Sequence, residues 1–149
     1  MIIKNNTIKM ITGDINIGMP FAKVEDVLKK EIYAQKAPDA KGLGHIIIKS
    51  IEFYGLKGTC TLYFQGGELK QIGISPEWNL YDLVDGNGNR LPIDIAVEKI
   101  ARLSEEGLKD AFGNPVEKSE YRNLVFVHGD ITVITSIARS GDKYSVIIR

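Results

Sequence analysis

Apolar and polar residues alternate along several segments of the chain, a pattern typical of antiparallel strands with one buried and one solvated face. The segment 59–64 shows it most clearly, because Cys, Leu and Phe occupy its even-numbered positions while Thr, Thr and Tyr occupy its odd-numbered positions. Alternation of this kind and short apolar runs predict six strands in two groups of three. They span residues 45–54, 59–64 and 69–74, and then 121–128, 131–138 and 144–148.

Apolar residues at helical spacing precede each group of strands. The first predicted helix begins near Pro20 and ends before Ala37-Pro38, since a residue that precedes proline avoids the α region. Its apolar positions are Phe21, Val24, Val27, Leu28 and Ile32. After an irregular connector over residues 75–92, Asp94 is the expected N-cap of a second helix, and Ser104 is expected to cap a further short helix.

The order of these elements predicts an α+β fold in which helices pack on one face of an antiparallel sheet. Asn5-Asn6 tolerates the positive φ of a two-residue turn, so an N-terminal hairpin is expected over residues 1–11. A helix followed by an antiparallel meander occurs twice, at about 17–74 and 92–149, which indicates a tandem repeat. We expect both units to belong to a single domain over residues 1–149.

Charge and cysteine content exclude several classes of function. Nineteen basic residues balance nineteen acidic ones, whereas nucleic-acid binding and polybasic membrane binding both need a surplus of Lys and Arg. One cysteine permits neither an internal disulfide nor a cysteine-based zinc cluster. The chain shows no secretory signal and no apolar run long enough to span a bilayer. We therefore expect a cytoplasmic protein that binds no nucleic acid and no membrane.

Two short motifs resemble those of a known family. The segment Gly18-Met19-Pro20-Phe21-Ala22-Lys23-Val24 is similar to the glycine-methionine-x-x-x-x-valine start of the helical unit in SmpA/OmlA-like proteins. The segment from Leu108 through Gly113-Asn114-Pro115 resembles the leucine-glycine-x-proline that ends the helix there. The β-lactamase-inhibitor-protein-like fold carries the same helix-plus-meander unit twice. The resemblance implies non-catalytic modules whose sheet and loops bind other proteins.

Candidate catalytic and metal-binding residues are few. Cys60, His128 and Asp130 form a possible nucleophile, base and orienting acid, but the alternation around Cys60 favours a buried, chemically quiet thiol. The segment 85–90 has oxygen ligands at alternate positions, as a calcium loop does, yet Arg90 stands where the required glycine belongs. We therefore predict no metal, no cofactor and no catalytic activity.

Aromatic residues are the remaining candidates for a functional site. Tyr63 lies opposite the apolar face of its strand and should point to solvent, Tyr54 ends the preceding strand, and Trp78 and Tyr81 lie in the connector. Tyrosine and tryptophan are common anchors of protein interfaces. The chain is therefore interpreted as a protein-binding module, of the inhibitor or toxin-immunity kind, that binds another protein through these four residues. A small-ligand-binding domain, with a pocket between helices and sheet, and an enzyme based on Cys60 are the alternatives.

Overall fold

The computed structural model, which describes residues 1–118 and 123–149, contains two antiparallel sheets and two helices. The smaller sheet consists of β1 (Ile2–Lys4), β2 (Thr7–Lys9) and β3 (Asp14–Ile15). The larger has the spatial order β4 (Ala34–Lys36), β5 (Gly44–Phe53), β6 (Leu56–Gln65), β7 (Glu68–Pro76), β11 (Tyr144–Ile148), β10 (Ile131–Ile137), β9 (Leu124–His128) and β8 (Glu117–Lys118). The helices are α1 (Phe21–Leu28) and α2 (Ile93–Phe112), and a short 3-10 helix covers Trp78–Leu80.

The N-terminal hairpin is confirmed. Asn5 and Asn6 have φ values of 51° and 60°, as the two central residues of a type I′ turn require. The side chain of Asn6 also reaches the turn between β9 and β10, where its Oδ1 accepts a hydrogen bond of 3.0 Å from the backbone N–H of Asp130. The small sheet therefore contacts the far end of the chain.

Both helices pack on one face of the large sheet, which confirms the α+β prediction. The ring of Phe21 on α1 lies 4.9 Å from that of Phe64 on β6. On α2, Phe112 lies 6.4 Å from Phe126 of β9. Ile8 and other residues of the small sheet belong to the same buried cluster. This covered face holds the hydrophobic core.

Two helix predictions are wrong in their boundaries. The first helix ends at Leu28, because the chain then turns so that residues 34–36 can pair with β5 as an edge strand. The second is one continuous helix with Pro92 at its N-cap, so Asp94 lies in its first turn. Ser104 is buried within that helix, where its Oγ accepts a hydrogen bond of 2.9 Å from the hydroxyl of Tyr144. It caps nothing.

The two halves of the chain share the large sheet. Strands β7 and β11 pair antiparallel over three residues of each strand. Among the described residues, each half of the chain contains one helix followed by four antiparallel strands. This is one strand more per half than predicted. The first two residues of the strand predicted at 121–128 lie outside the described part of the chain. That the halves are repeats of one unit stays a prediction.

Candidate functional site

The second face of the large sheet carries neither helix, and we call it the open face. Residues that point to it are half-buried or exposed, whereas their neighbours along each strand are buried. The strand register places one row of such residues across the six inner strands, a width of about 24 Å, and Ala34 of β4 and Glu117 of β8 continue it on the edge strands. On the inner strands the row consists of Ile47, Thr61, Gly73, Ile147, Ile134 and Val125. The open face therefore has an apolar band, with four aliphatic side chains, across its middle.

Tyr63 stands in the adjacent row, as the alternation predicts, and 46% of it is exposed. Its ring lies over Gly73 of β7, because a Cβ atom added to that glycine would be 3.2 Å from the Tyr63 Cε2 atom. A larger residue at position 73 would displace the ring. The glycine thus lets a flat aromatic surface extend from Tyr63 towards the apolar band.

The charged residues of the Tyr63 row are all basic. Pairing in register gives the order Lys36, His45, Tyr63 and Gln71 on β4 to β7, and Arg149 follows β11, where it exchanges backbone hydrogen bonds with Thr132. Within the part of the chain that the structure describes, neither lysine nor arginine of this row forms an ion pair. The row can therefore offer cations to a bound partner.

Trp78 and Tyr81 lie on a different surface from Tyr63. The Tyr81 hydroxyl donates a hydrogen bond of 3.0 Å to the carbonyl of Lys57, and burial raises the pKa of that hydroxyl. Lys57 is six residues from Tyr63 along β6, or about 20 Å. The two connector residues instead line a groove of about 500 Å³ against α2, together with Asn79, Leu83, Val84, Arg90, Leu91, Ile93 and Ala96. We call this the connector groove.

Tyr54 lies on the covered side, so it does not share the surface of Tyr63, and a role for it in partner binding stays a prediction. Its ring lies 5.0 Å from that of Phe112 on α2. Its hydroxyl accepts a hydrogen bond of 3.0 Å from the N–H of Ile3. Tyr54 therefore fastens α2 and the small sheet to the end of β5, and it adds nothing to the open face.

Cys60, His128 and Asp130 do not meet. Three strands separate β6 from β9, so four strand spacings, about 19 Å, separate the thiol from the imidazole across the sheet, before any offset along the strands is added. Burial raises the pKa of the Cys60 thiol to about 12, which opposes formation of a nucleophilic thiolate. The His128 ring packs 5.2 Å from that of Phe112, and a carboxylate oxygen of Asp130 accepts a hydrogen bond from Asn6. The proposed nucleophile and base cannot act together.

In the connector loop over residues 85–90, the Asp85 carboxylate is hydrogen-bonded within the loop itself. Oδ1 of Asp85 accepts hydrogen bonds of 2.8 and 2.9 Å from the backbone N–H groups of Asn87 and Asn89. These bonds lower the pKa of that carboxyl. In the described residues, no three His, Cys, Asp or Glu side chains come together as metal ligands would. The loop is a closed turn that leads into the connector groove.

Comparison with protein-family models, with curated proteins and with solved structures gave no match for this chain. Within residues 1–118 and 123–149, neither helix has the length and apolar character needed to cross a bilayer.

Sequence reasoning missed most of the open face. Ile134, Ile147 and Val125 each lie between buried neighbours on their strands, so the alternation in those strands carried the signal. The alternation within each strand does not, however, predict the register between strands. The row forms only because β7, near the middle of the chain, pairs with β11 at residues 144–148.

Proposed function

We propose that the chain is a non-catalytic protein-binding module of the cytoplasm, which binds a partner protein on the open face as an inhibitor or toxin-immunity protein does. The supporting observation is the apolar band beside Tyr63 on a sheet face that no described helix covers. The free energy falls when a partner covers such a band and removes it from water. Tyr63 adds a rigid aromatic anchor that loses little side-chain entropy on binding.

The basic row specifies the chemistry of the partner. Lys36, His45 and Arg149 flank Tyr63 on the same face, and charge complementarity across an interface favours correct docking and rejects like-charged surfaces. The partner should therefore be a folded protein that presents carboxylates around an apolar contact.

A photo-cross-linking amino acid placed at Thr61, in the middle of the apolar band, tests this proposal. The same amino acid at Leu103, on the outer surface of α2 with 43% exposure, serves as the matched control. A protein captured from native extract by the first variant alone is the candidate partner. It is then purified, and its affinity for the unmodified chain is measured.

Tyr63→Ala is expected to weaken this affinity about thirtyfold, as for an anchor worth roughly 2 kcal/mol, whereas Leu103→Ala should leave it unchanged. Arg149→Gln should also weaken binding, and added salt should reduce the difference. Equal affinities for the wild type and Tyr63→Ala would overturn the proposal. Cross-links from position 61 only to a second copy of the chain would overturn it as well.

A further inference from the structure

The connector groove has a composition distinct from that of the open face. Most of its lining is apolar, and among the described residues Arg90 is the lining residue that carries a charge. Its volume of about 500 Å³ lies in the range typical of small-molecule sites. Trp78 on its rim is 38% exposed. A groove of this size and polarity suits a small ligand better than a flat protein surface.

Two features at the rim favour a negative group on that ligand. The guanidinium of Arg90 forms no ion pair within the described part of the chain. Ile93, the first residue of α2, also lines the groove, and the N-cap residue Pro92 has no side chain that could bond the free N–H groups of the first turn. A helix N-terminus carries partial positive charge, and Asp94 of that turn is not part of the lining.

Asp85, in the same loop, forms no ion pair with Arg90 among the described residues. The short bridge between Val84 and Arg90 brings Asp85 close in the chain. The ionised carboxylate of Asp85 accepts hydrogen bonds from the N–H groups of its own loop. The guanidinium of Arg90 can therefore bind an anion at the groove that Trp78 and Tyr81 also line.

We propose that the connector groove binds a small apolar molecule with one anionic group. The apolar body lies against Trp78, Tyr81 and the side chains of α2, and the anion lies between Arg90 and the first turn of that helix. This site is separate from the open face and does not depend on the proposed protein partner.

Anilinonaphthalene sulfonate, an aromatic anion, is a suitable probe, and phenylnaphthylamine is its uncharged counterpart. Trp78 is the only tryptophan of the chain, so energy transfer from tryptophan to the bound dye reports binding near this groove. We expect one dye molecule per chain and tighter binding of the sulfonate than of the uncharged dye. Arg90→Gln should weaken binding of the sulfonate about tenfold and leave that of the uncharged dye unchanged.

Two exposed isoleucines on the first turn of α2 provide a matched control. Ile93 lines the groove and is 57% exposed, whereas Ile95 is 50% exposed and does not line it. Ile93→Glu should reduce sulfonate binding by charge repulsion, and Ile95→Glu should have little effect. Both acidic substitutions suit a helix N-terminus, so both variants should fold.

Three results would overturn the proposal. The first is that the two dyes bind equally tightly and that Arg90→Gln leaves the affinity for the sulfonate unchanged. The second is sulfonate binding without energy transfer from Trp78, and the third is the absence of saturable sulfonate binding. Equal loss of binding in Ile93→Glu and Ile95→Glu would also contradict the placement of the ligand in the groove.

Discussion

Neighbouring residues of β6 have opposite environments because successive side chains of a strand point to opposite faces. Cys60 is fully buried in the core, while Tyr63 is about half exposed on the open face. Tyr54, which follows β5, has a positive φ of 46° and turns its ring back into the core. Alternation within a strand therefore predicts exposure well, but it fails at the turn that ends the strand.

The buried thiol of Cys60 should make stability depend on pH in alkaline solution. Its pKa is raised to about 12 in the fold, whereas an unfolded thiol ionises near pH ~8.5. The unfolded state therefore releases its proton first as the pH rises, and the native state loses stability from there towards pH 12, by up to about 1.4 kcal/mol per pH unit. Urea denaturation at pH 7 to 10 should show a shallower decline for Cys60→Ala than for the wild type. Parallel curves for the two proteins would contradict a buried thiol.

The two tyrosines should differ in their contributions to stability. Tyr54→Ala removes a ring packed on Phe112 and a hydroxyl bonded to Ile3, so we expect a loss of about 3 kcal/mol in the free energy of unfolding. Tyr63→Ala removes a half-exposed ring over Gly73 and should cost less than about 1 kcal/mol. Chemical denaturation of both variants measures the difference. The reverse order would mean that the two faces of the sheet are assigned wrongly.

At the scale of elements, α2 shows how distant contacts override local signals. Ser104 is a preferred capping residue, but it lies inside the helix because the Tyr144 hydroxyl, forty residues later, donates to its Oγ. In α1 the apolar spacing continues to Ile32, yet the helix stops at Leu28, and the Glu31 carboxylate then bonds the N–H of Thr12. The existence and faces of the helices could be predicted from the sequence. Their ends could not, since partners far along the chain determine them.

Gly107 allows α2 to cross the end of β5 at close range. A Cβ atom at this position would lie 2.1 Å from the carbonyl oxygen of Tyr54, so the helix and the turn would have to move apart. Gly107→Ala should therefore destabilise the fold by about 2 kcal/mol, although alanine is the better helix former by about 1 kcal/mol. Glu106→Ala, at the preceding exposed position, is the control and should be nearly neutral. Thermal unfolding followed by circular dichroism measures both. A stabilised Gly107→Ala variant would show that the close approach is absent.

At the scale of the whole molecule, contacts across the middle of the sheet join the two halves of the chain. Ile72 and Ile74 of β7 pair with Ile148 and Val146 of β11, and all four are buried. Asn6 links the small sheet to the turn at Asp130. The open face also depends on this junction, because its apolar band crosses from β7 to β11. The sequence indicated two similar halves, but their union into one sheet depends on pairing between residues more than seventy positions apart.

One cooperative unit should therefore unfold, and Cys60 can report it. This buried thiol lies in the first half, so a thiol reagent reaches it only when that half opens. Val133→Ala removes buried methyl groups from β10 in the second half, at an expected cost of about 2 kcal/mol. If the halves open together, labelling of Cys60 under native conditions should be about thirtyfold faster in Val133→Ala than in the wild type. This factor equals the whole increase in the unfolding equilibrium constant that the substitution causes.

Ile46→Val, in the first half, is the control for this experiment. It should speed the labelling of Cys60 whether the halves open together or separately, because it destabilises the half that contains the thiol. Val133→Ala alone distinguishes the two cases. Val133→Ala could lower the global stability of the protein and yet leave the labelling rate of Cys60 unchanged. That result would mean that the first half opens independently and that the shared sheet does not couple the two halves.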